Sequence, residues 1–267
     1  VKIGVFDSGI GGLNVLSELV GLVPDAHYVY LGDSANVPYG GRPAEQIREL
    51  SQKNFARLKG EGIDLAVVAC NSVSIHALEV IQRELGNTPV VGMVEPAVSL
   101  ATQVYEGSRA PGEPDGPLLI LGTQATIRSG TYGDRFRAHF PATRVLEQAC
   151  PLFVPFIELG QLRGPALDEA VRACLQDIAL EPVGLALLAC THYAWIRESI
   201  ERALPGWVVV DPSRAAALAA RTLAWQIRGS QATEGGRPSR IDWIFTAPEK
   251  VPDFARAAMK AMDSKLE

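Results

Sequence analysis

Leu65-Ala66-Val67-Val68-Ala69-Cys70-Asn71-Ser72 is an apolar run closed by a small residue, a cysteine and a polar pair. The pattern returns 120 positions later, from Cys70 to Cys190, as Leu185-Ala186-Leu187-Leu188-Ala189-Cys190-Thr191-His192. Neither run alternates apolar with polar residues, so each reads as a strand covered on both faces, the mark of a parallel sheet in an α/β protein. In each, the polar pair opens a helical pattern. An echo at this distance predicts two similar halves rather than a short-period solenoid.

The same grammar extends in both directions. Val1–Phe6 reads as a strand leading through Asp7-Ser8-Gly9-Ile10-Gly11-Gly12 into a helix over Leu13–Val20. His27–Leu31 leads into Gly32-Asp33-Ser34. Further strands are expected at Pro89–Val94, Leu118–Gly122, Arg144–Gln148, Trp207–Val210 and Ile241–Phe245. Helices are expected up to Leu85, over Ala97–Tyr105, Tyr132–Phe140 and Gly164–Ala179, up to Leu204, in the alanine-rich stretch after Asp211-Pro212-Ser213, and over Pro252–Met262. Gly107–Pro117 reads as a Gly/Pro-rich loop and Gly229–Arg240 as a polar linker. Strands alternating with helices predict an α/β fold of two pseudo-symmetric three-layer domains with mostly parallel sheets. Residues 1–96 with 211–267 are expected to form the first domain and 97–210 the second. Facing halves would bring their strand C-terminal ends to one cleft, where open sheets bind ligands.

Composition narrows the class. A chain of 267 residues with 47% hydrophobic content can bury a sizeable core. The net charge of −5 is spread along the length without a Lys/Arg-rich block, which argues against a nucleic-acid partner. No apolar run reaches the roughly 18 residues of a membrane span, and the first residues already read as a strand rather than a signal peptide. The cytoplasm is the expected location. The cysteines at 70, 150, 174 and 190 form no C-x-x-C pair, which suits reduced thiols better than zinc or a disulfide scaffold.

A single strand-end cysteine is more often a small buried hydrophobe than a reagent. Cys70 and Cys190 differ in sharing one context, a strand-to-helix turn whose N–H groups and dipole favour a thiolate. Cys150 and Cys174 lack it and read as structural. Two thiols at equivalent places suggest inversion of a stereocentre, with a base on one face of the carbon and an acid on the other. Sulfurs each about 3–3.5 Å from that carbon would stand about 6–7 Å apart, far beyond a disulfide bond of about 2.05 Å. Asp7, at the end of the first strand, and His192 and Glu158 on the other side could tune them. Taken alone, Asp7 could equally be a helix cap, and a lone histidine is more often structural. Glu158, beside an apolar run, would be costly to bury without a partner. Ser8, Asn71, Ser72, Thr123, Thr126 and Thr191 lie at turns after strands and can bind a carboxylate without a basic side chain. Pro38-Tyr39-Gly40 could close over a ligand. The glycines of Asp7–Gly12 match neither G-x-G-x-x-G nor a P-loop, so a nucleotide site is disfavoured.

Taken in order, these segments resemble the glutamate racemases of bacterial cell-wall synthesis, in the aspartate/glutamate racemase superfamily. The resemblance runs through Phe6–Leu13, Leu31–Ser34 with Val37–Gly40, Ala69–Ser72, Gly122–Thr126 with Ser129–Tyr132, Val154–Glu158, Ala189–Tyr193 and Val210–Pro212. It implies conversion of L-glutamate to D-glutamate for peptidoglycan, without metal or other cofactor. Cys70 would work on the D-enantiomer with Asp7, and Cys190 on the L-enantiomer with Glu158 and His192. Ser8, Tyr39, Gly40, Asn71, Ser72, Thr123, Thr126 and Thr191 would line the pocket. Relatives are often homodimers, so a second copy is the expected partner. The chain, starting at its first strand, is expected to lack the N-terminal extension through which some relatives are activated. Departures from the family pattern are Ser72 for Thr, bulkier Val73 and Ile75, Ala97 and Ala189 for Gly, and Thr246-Ala247-Pro248 for Thr-Gly-Asp. None removes a catalytic group. The rival readings are a racemase for aspartate or another acidic amino acid, and a catalytically silent binding or regulatory protein on the same fold.

Overall fold

A computed structural model describes residues 1–108, 116–230 and 239–266. The strands are β1 (Lys2–Asp7), β2 (His27–Gly32), β3 (Leu65–Val68), β4 (Val90–Val91), β5 (Leu118–Gly122), β6 (Val145–Ala149), β7 (Leu185–Ala189), β8 (Val208–Val210) and β9 (Arg240–Phe245). Between them run α1 (Leu13–Leu22), α2 (Ala44–Gly60), α3 (Asn71–His76), α4 (Leu78–Leu85), α5 (Val94–Ser108), α6 (Gln124–Arg128), α7 (Thr131–His139), α8 (Phe153–Glu158), α9 (Pro165–Leu175), α10 (Arg197–Ala203), α11 (Ser213–Ser230) and α12 (Asp253–Asp263). Short 3₁₀ turns occupy Ile178–Leu180, Thr191–Ile196 and Pro248–Lys250.

The strands form two parallel sheets, ordered β4-β3-β1-β2-β9 and β6-β5-β7-β8. Read from β8, the second sheet repeats the first: β8-β7-β5-β6 matches β4-β3-β1-β2, and β9 is an added edge strand. β3 and β7, which precede the two cysteines, are therefore counterparts. The sequence echo is a topological repeat. Register levels the C-terminal ends: Asp7 lies beside Gly32 and Phe6 beside Val68, while Gly122 lies beside both Ala149 and Ala189. In each sheet the chain reverses its direction of progress at one crevice, between β1 and β3 and between β5 and β7. Open α/β sheets bind ligands at such switch points.

β3, β5 and β7 are buried along their whole length, as their unbroken apolar runs require. One hydrophobic core joins a face of each sheet, from Ile3, Tyr28 and Val67 to Leu119, Leu121 and Leu188. Separate cores cover the remaining faces, around Phe6, Phe55 and Val68 and around Ile120, Phe136 and Leu187. The two lobes share a spine.

Several elements differ from the sequence expectation. α2 is additional: its sequence is polar, and only Ile47, Ser51, Asn54, Phe55 and Leu58, recurring at helical spacing, face inward. The strand expected over 89–94 shrinks to two edge residues, because α5 already begins at Val94. The helix expected over 164–179 ends at Leu175, and the rest is the separate turn Ile178–Leu180. Residues 109–115 of the expected loop and 231–238 of the expected linker lie outside the described residues. Among those described, no helix is long and apolar enough to cross a membrane.

Candidate active site

Cys70 and Cys190 each occupy the extended residue between a strand and a helical turn, β3 to α3 in one lobe and β7 to Thr191–Ile196 in the other. Each is 6% exposed. Both sulfur-bearing residues line a single cavity, together with Ser8, Pro38, Tyr39, Gly40, Asn71, Ser72, Thr123, Val154, Thr191 and His192. Its volume is only about 10 Å³, about the room one water needs, so the two walls stand nearly closed on each other. A larger groove of about 780 Å³ lies elsewhere, among Ile75, Leu78, Pro96, Leu100 and Leu218, and has no cysteine among its described lining residues. Size and chemistry point to different places, and the chemistry lies in the smaller one.

Around Cys70 the groups come from β1. Its Sγ lies 3.7 Å from the Ser8 hydroxyl. Asp7, completely buried, accepts from the Gly9 N–H at 2.9 Å and from the Thr191 hydroxyl of the other lobe at 3.1 Å. Burial and the neighbouring Asp7 push the Cys70 thiol up to about 12, although the Val73 N–H and the Ser8 hydroxyl favour its anion. Asp7 itself is raised by burial, against the pull of His192.

Around Cys190 the company is different. Its Sγ lies 3.9 Å from His192 Nδ1, and His192 Nε2 is 2.6 Å from Glu158 Oε1. Burial works against the imidazolium, but the contacts with Cys190 and Glu158 prevail and hold His192 well above the ordinary imidazole range. The positive ring stabilises negative charge on the adjacent sulfur. Glu158 also accepts the Ile10 N–H at 3.1 Å, so α8 of one lobe is tied to the β1–α1 turn of the other. That turn must come very close. A Cβ on Gly9 would overlap Glu158 Oε1, and one on Gly11 would overlap His192 Nδ1 and Thr191 Oγ1. The glycines serve lobe-to-lobe approach, in keeping with the absence of a nucleotide motif.

The polar wall spans both lobes as well. Ser72 Oγ is 3.0 Å from Thr123 Oγ1, which in turn caps α6 by accepting the Thr126 N–H at 3.3 Å. Asn71 Oδ1 accepts from the Tyr132 hydroxyl at 2.6 Å, while its Nδ2 is buried without a protein partner, a donor left for a ligand. Among the described residues, no lysine or arginine lines the cavity.

Asp7, Glu158 and Thr126 are absent from the wall itself. They stand behind it, against Thr191, His192 and Thr123 respectively. Glu158 thus reaches Cys190 only through His192. Tyr39 lines the cavity, but its hydroxyl is turned to Asp33 Oδ2 at 2.5 Å. Asp33 is a buried hub that also accepts from Asn36, Asn54 and the Thr246 hydroxyl, and so anchors the Pro38–Gly40 turn. Asp33, Asn14 (Nδ2 to the Thr191 carbonyl, 3.0 Å), Tyr132 and Val154 are site-building residues that sequence reasoning missed. Only the strand-end position of Asp33, matching that of Asp7, could have signalled one. No cluster of three or more His, Cys, Asp or Glu suited to a metal occurs among the described residues.

A family model described as Asp/Glu/Hydantoin racemase matches residues 9–220. The glutamate racemase of Aquifex aeolicus is 41% identical over 217 residues, covering 81% of each chain, and that of Chlorobaculum tepidum is 35% identical over 259 residues, covering 96% of this chain and 92% of the relative. Among solved structures, glutamate racemase from Thermus thermophilus in complex with beta-chloro-D-alanine superimposes with a TM-score of 0.76 at 33% identity, covering 100% of this chain and 94% of that one. The Francisella tularensis enzyme in complex with D-glutamate gives a TM-score of 0.83 at 26% identity, covering 97% and 93%. Repeated lobes, paired strand-end thiols and these likenesses agree, and the chain belongs to the Asp/Glu/hydantoin racemase family.

Proposed function

We propose that this protein interconverts L- and D-glutamate by a two-base mechanism, with Cys70 and Cys190 on opposite faces of the α-carbon. The observation that carries the reading is the placement of two cysteines at topologically equivalent strand ends, lining one cavity where the two lobes meet. The glutamate racemases among its relatives supply the substrate. The lobes that meet at the site would correspond to residues 1–96 with 211–267 and to residues 97–210.

The charges assign the roles. Cys190, beside the His192 imidazolium, is the base that removes the α-proton of L-glutamate. Cys70, held protonated by burial and by Asp7, delivers its proton to the other face and D-glutamate results. In reverse, Cys70 must ionise first. The substrate ammonium offsets the Asp7 charge, and the raised Asp7 carboxylate can take up the proton. Asn71 Nδ2 offers a neutral donor to a substrate carboxylate, with the Ser72 and Thr123 hydroxyls beside it, so no lysine or arginine is needed to hold the anion. The product serves peptidoglycan synthesis in this reading. The cytoplasm as its compartment and a second copy as its partner both follow from the family resemblance alone.

Proton NMR in D₂O tests the proposal. Either glutamate enantiomer should exchange its α-proton with solvent and racemise, and L-aspartate should turn over far more slowly. Glutamate that binds but neither exchanges nor racemises would leave only a binding protein, and faster turnover of L-aspartate would change the substrate.

A further inference from the structure

Cys150 and Cys174, 24 residues apart and unremarkable in the sequence, have their sulfurs 2.9 Å apart. Cys150 follows β6 and is 1% exposed, while Cys174 sits in the last turn of α9 and is partly exposed. Both are free thiols. Their surroundings are unequal. Gln148 Nε2 points at Cys174 Sγ from 3.6 Å, and once Cys174 ionises Cys150 can donate its S–H across the 2.9 Å contact. Cys174 titrates below the ordinary thiol range through its contact with Cys150, whereas burial raises Cys150. The more accessible sulfur is thus the better anion, and its neighbour is sheltered and already within reach.

We propose that Cys150 and Cys174 form a reversible dithiol–disulfide site, oxidised by hydroperoxides, distinct from the two cysteines of the cavity. The Cys174 thiolate attacks one peroxide oxygen and the O–O bond breaks, giving a Cys174 sulfenic acid and a hydroxide that leaves as water with the thiol proton. The Cys150 sulfur then attacks the Cys174 sulfur. The S–S bond forms, the S–O bond breaks, and the second hydroxide leaves as water with the Cys150 proton. Two thiols are oxidised, one peroxide is reduced, and two waters result. The bond would fasten α9 to the turn after β6. That turn is anchored in the second sheet by the Cys150 N–H to the Gly122 carbonyl at 2.9 Å and the Tyr193 hydroxyl to the Cys150 carbonyl at 3.0 Å. The cross-link joins elements already packed together and stiffens the floor of the second lobe.

The test uses the intact protein, one equivalent of hydrogen peroxide, alkylation of remaining thiols and peptide mapping. Cleavage before aspartate leaves Cys150 in residues 134–167, Cys174 in 168–176 and Cys190 in 177–210. The expected product is a 134–167/168–176 cross-link lighter by two hydrogens, formed before Cys70 or Cys190 is modified and reversed by dithiothreitol. Oxidised wild type should unfold at a higher temperature than reduced, while Cys174→Ser and Cys174→Ala, each checked for unchanged circular dichroism, should show neither the cross-link nor the shift. Recovery of Cys150 and Cys174 as alkylated thiols, a cross-link through Cys190 instead, or earlier oxidation of Cys70 or Cys190 would each overturn the proposal.

Discussion

The two walls of the cavity are built on the same strand order, yet the groups beside their sulfurs differ in charge. In the first lobe the thiol of Cys70 has a hydroxyl and a buried carboxylate for company and is driven up to about 12. In the second lobe Cys190 faces an imidazolium that Glu158 braces from behind. A repeat supplies symmetric positions for two sulfurs, and the neighbours then make the positions unequal, a carboxylate beside one and an imidazolium beside the other. Chirality of the substrate is reversed by a site that is itself alike in backbone and unlike in electrostatics.

The largest effect should come from the thiols. Cys70→Ala and Cys190→Ala should each lower kcat by at least about 10³-fold in racemisation assays, the upper range for loss of an acid–base group. Because the equilibrium constant of a racemisation is one, kcat/KM must fall equally for both enantiomers in either variant. Full activity in one of them would remove the two-base mechanism. Next in size, His192→Asn should cost about 10²-fold and Glu158→Gln about tenfold. His192 is held protonated well above its usual range, so activity should persist past the ordinary imidazole pKa of about 6.5 and fall only when the ring loses its proton. Removing the Glu158 charge lowers the histidine, so in Glu158→Gln the alkaline limb of the pH–rate profile should move to lower pH. An unmoved limb would break the contrast between the walls.

Gly11→Ala probes the seam rather than the charges. Its Cβ would overlap His192 Nδ1, so the lobes must part or the ring must shift, at a cost of roughly 1–3 kcal/mol. Thermal unfolding and kcat should both decline. The smallest effect sharpens the comparison most. Asp7→Asn removes a charge that raises Cys70, so Cys70 should be alkylated several-fold faster at fixed pH, while Cys190 should slow in His192→Asn. Peptide mapping after timed iodoacetamide exposure separates the two.

Much of this arrangement was legible in the sequence because buried parallel strands write themselves as unbroken apolar runs. Leu65–Ala69 and Leu185–Ala189 announced both sheets, and the residues after them announced the site. What escaped depends on contacts far apart in sequence. Helix α2 hides its inward residues in a charged segment, and α8 carries Pro155 where a helix reading is discouraged. Glu158 bonds to His192, and the indirectness of its link to the second thiol, through a ring 34 residues away, is written nowhere in local pattern. The turning of the Tyr39 hydroxyl to Asp33 is equally invisible, since spacing gives a side chain's position along the chain and not its direction.

The bonds that cross the seam have one more implication. Thr191 to Asp7, Asn14 to the Thr191 carbonyl, and Ile10 to Glu158 all link one lobe to the other. Each sulfur nonetheless keeps its own company within its own lobe, Ser8 and Asp7 with Cys70, His192 and Glu158 with Cys190. The crossing bonds therefore fix how two finished half-sites face each other, and their loss would set acid and base apart without dismantling either.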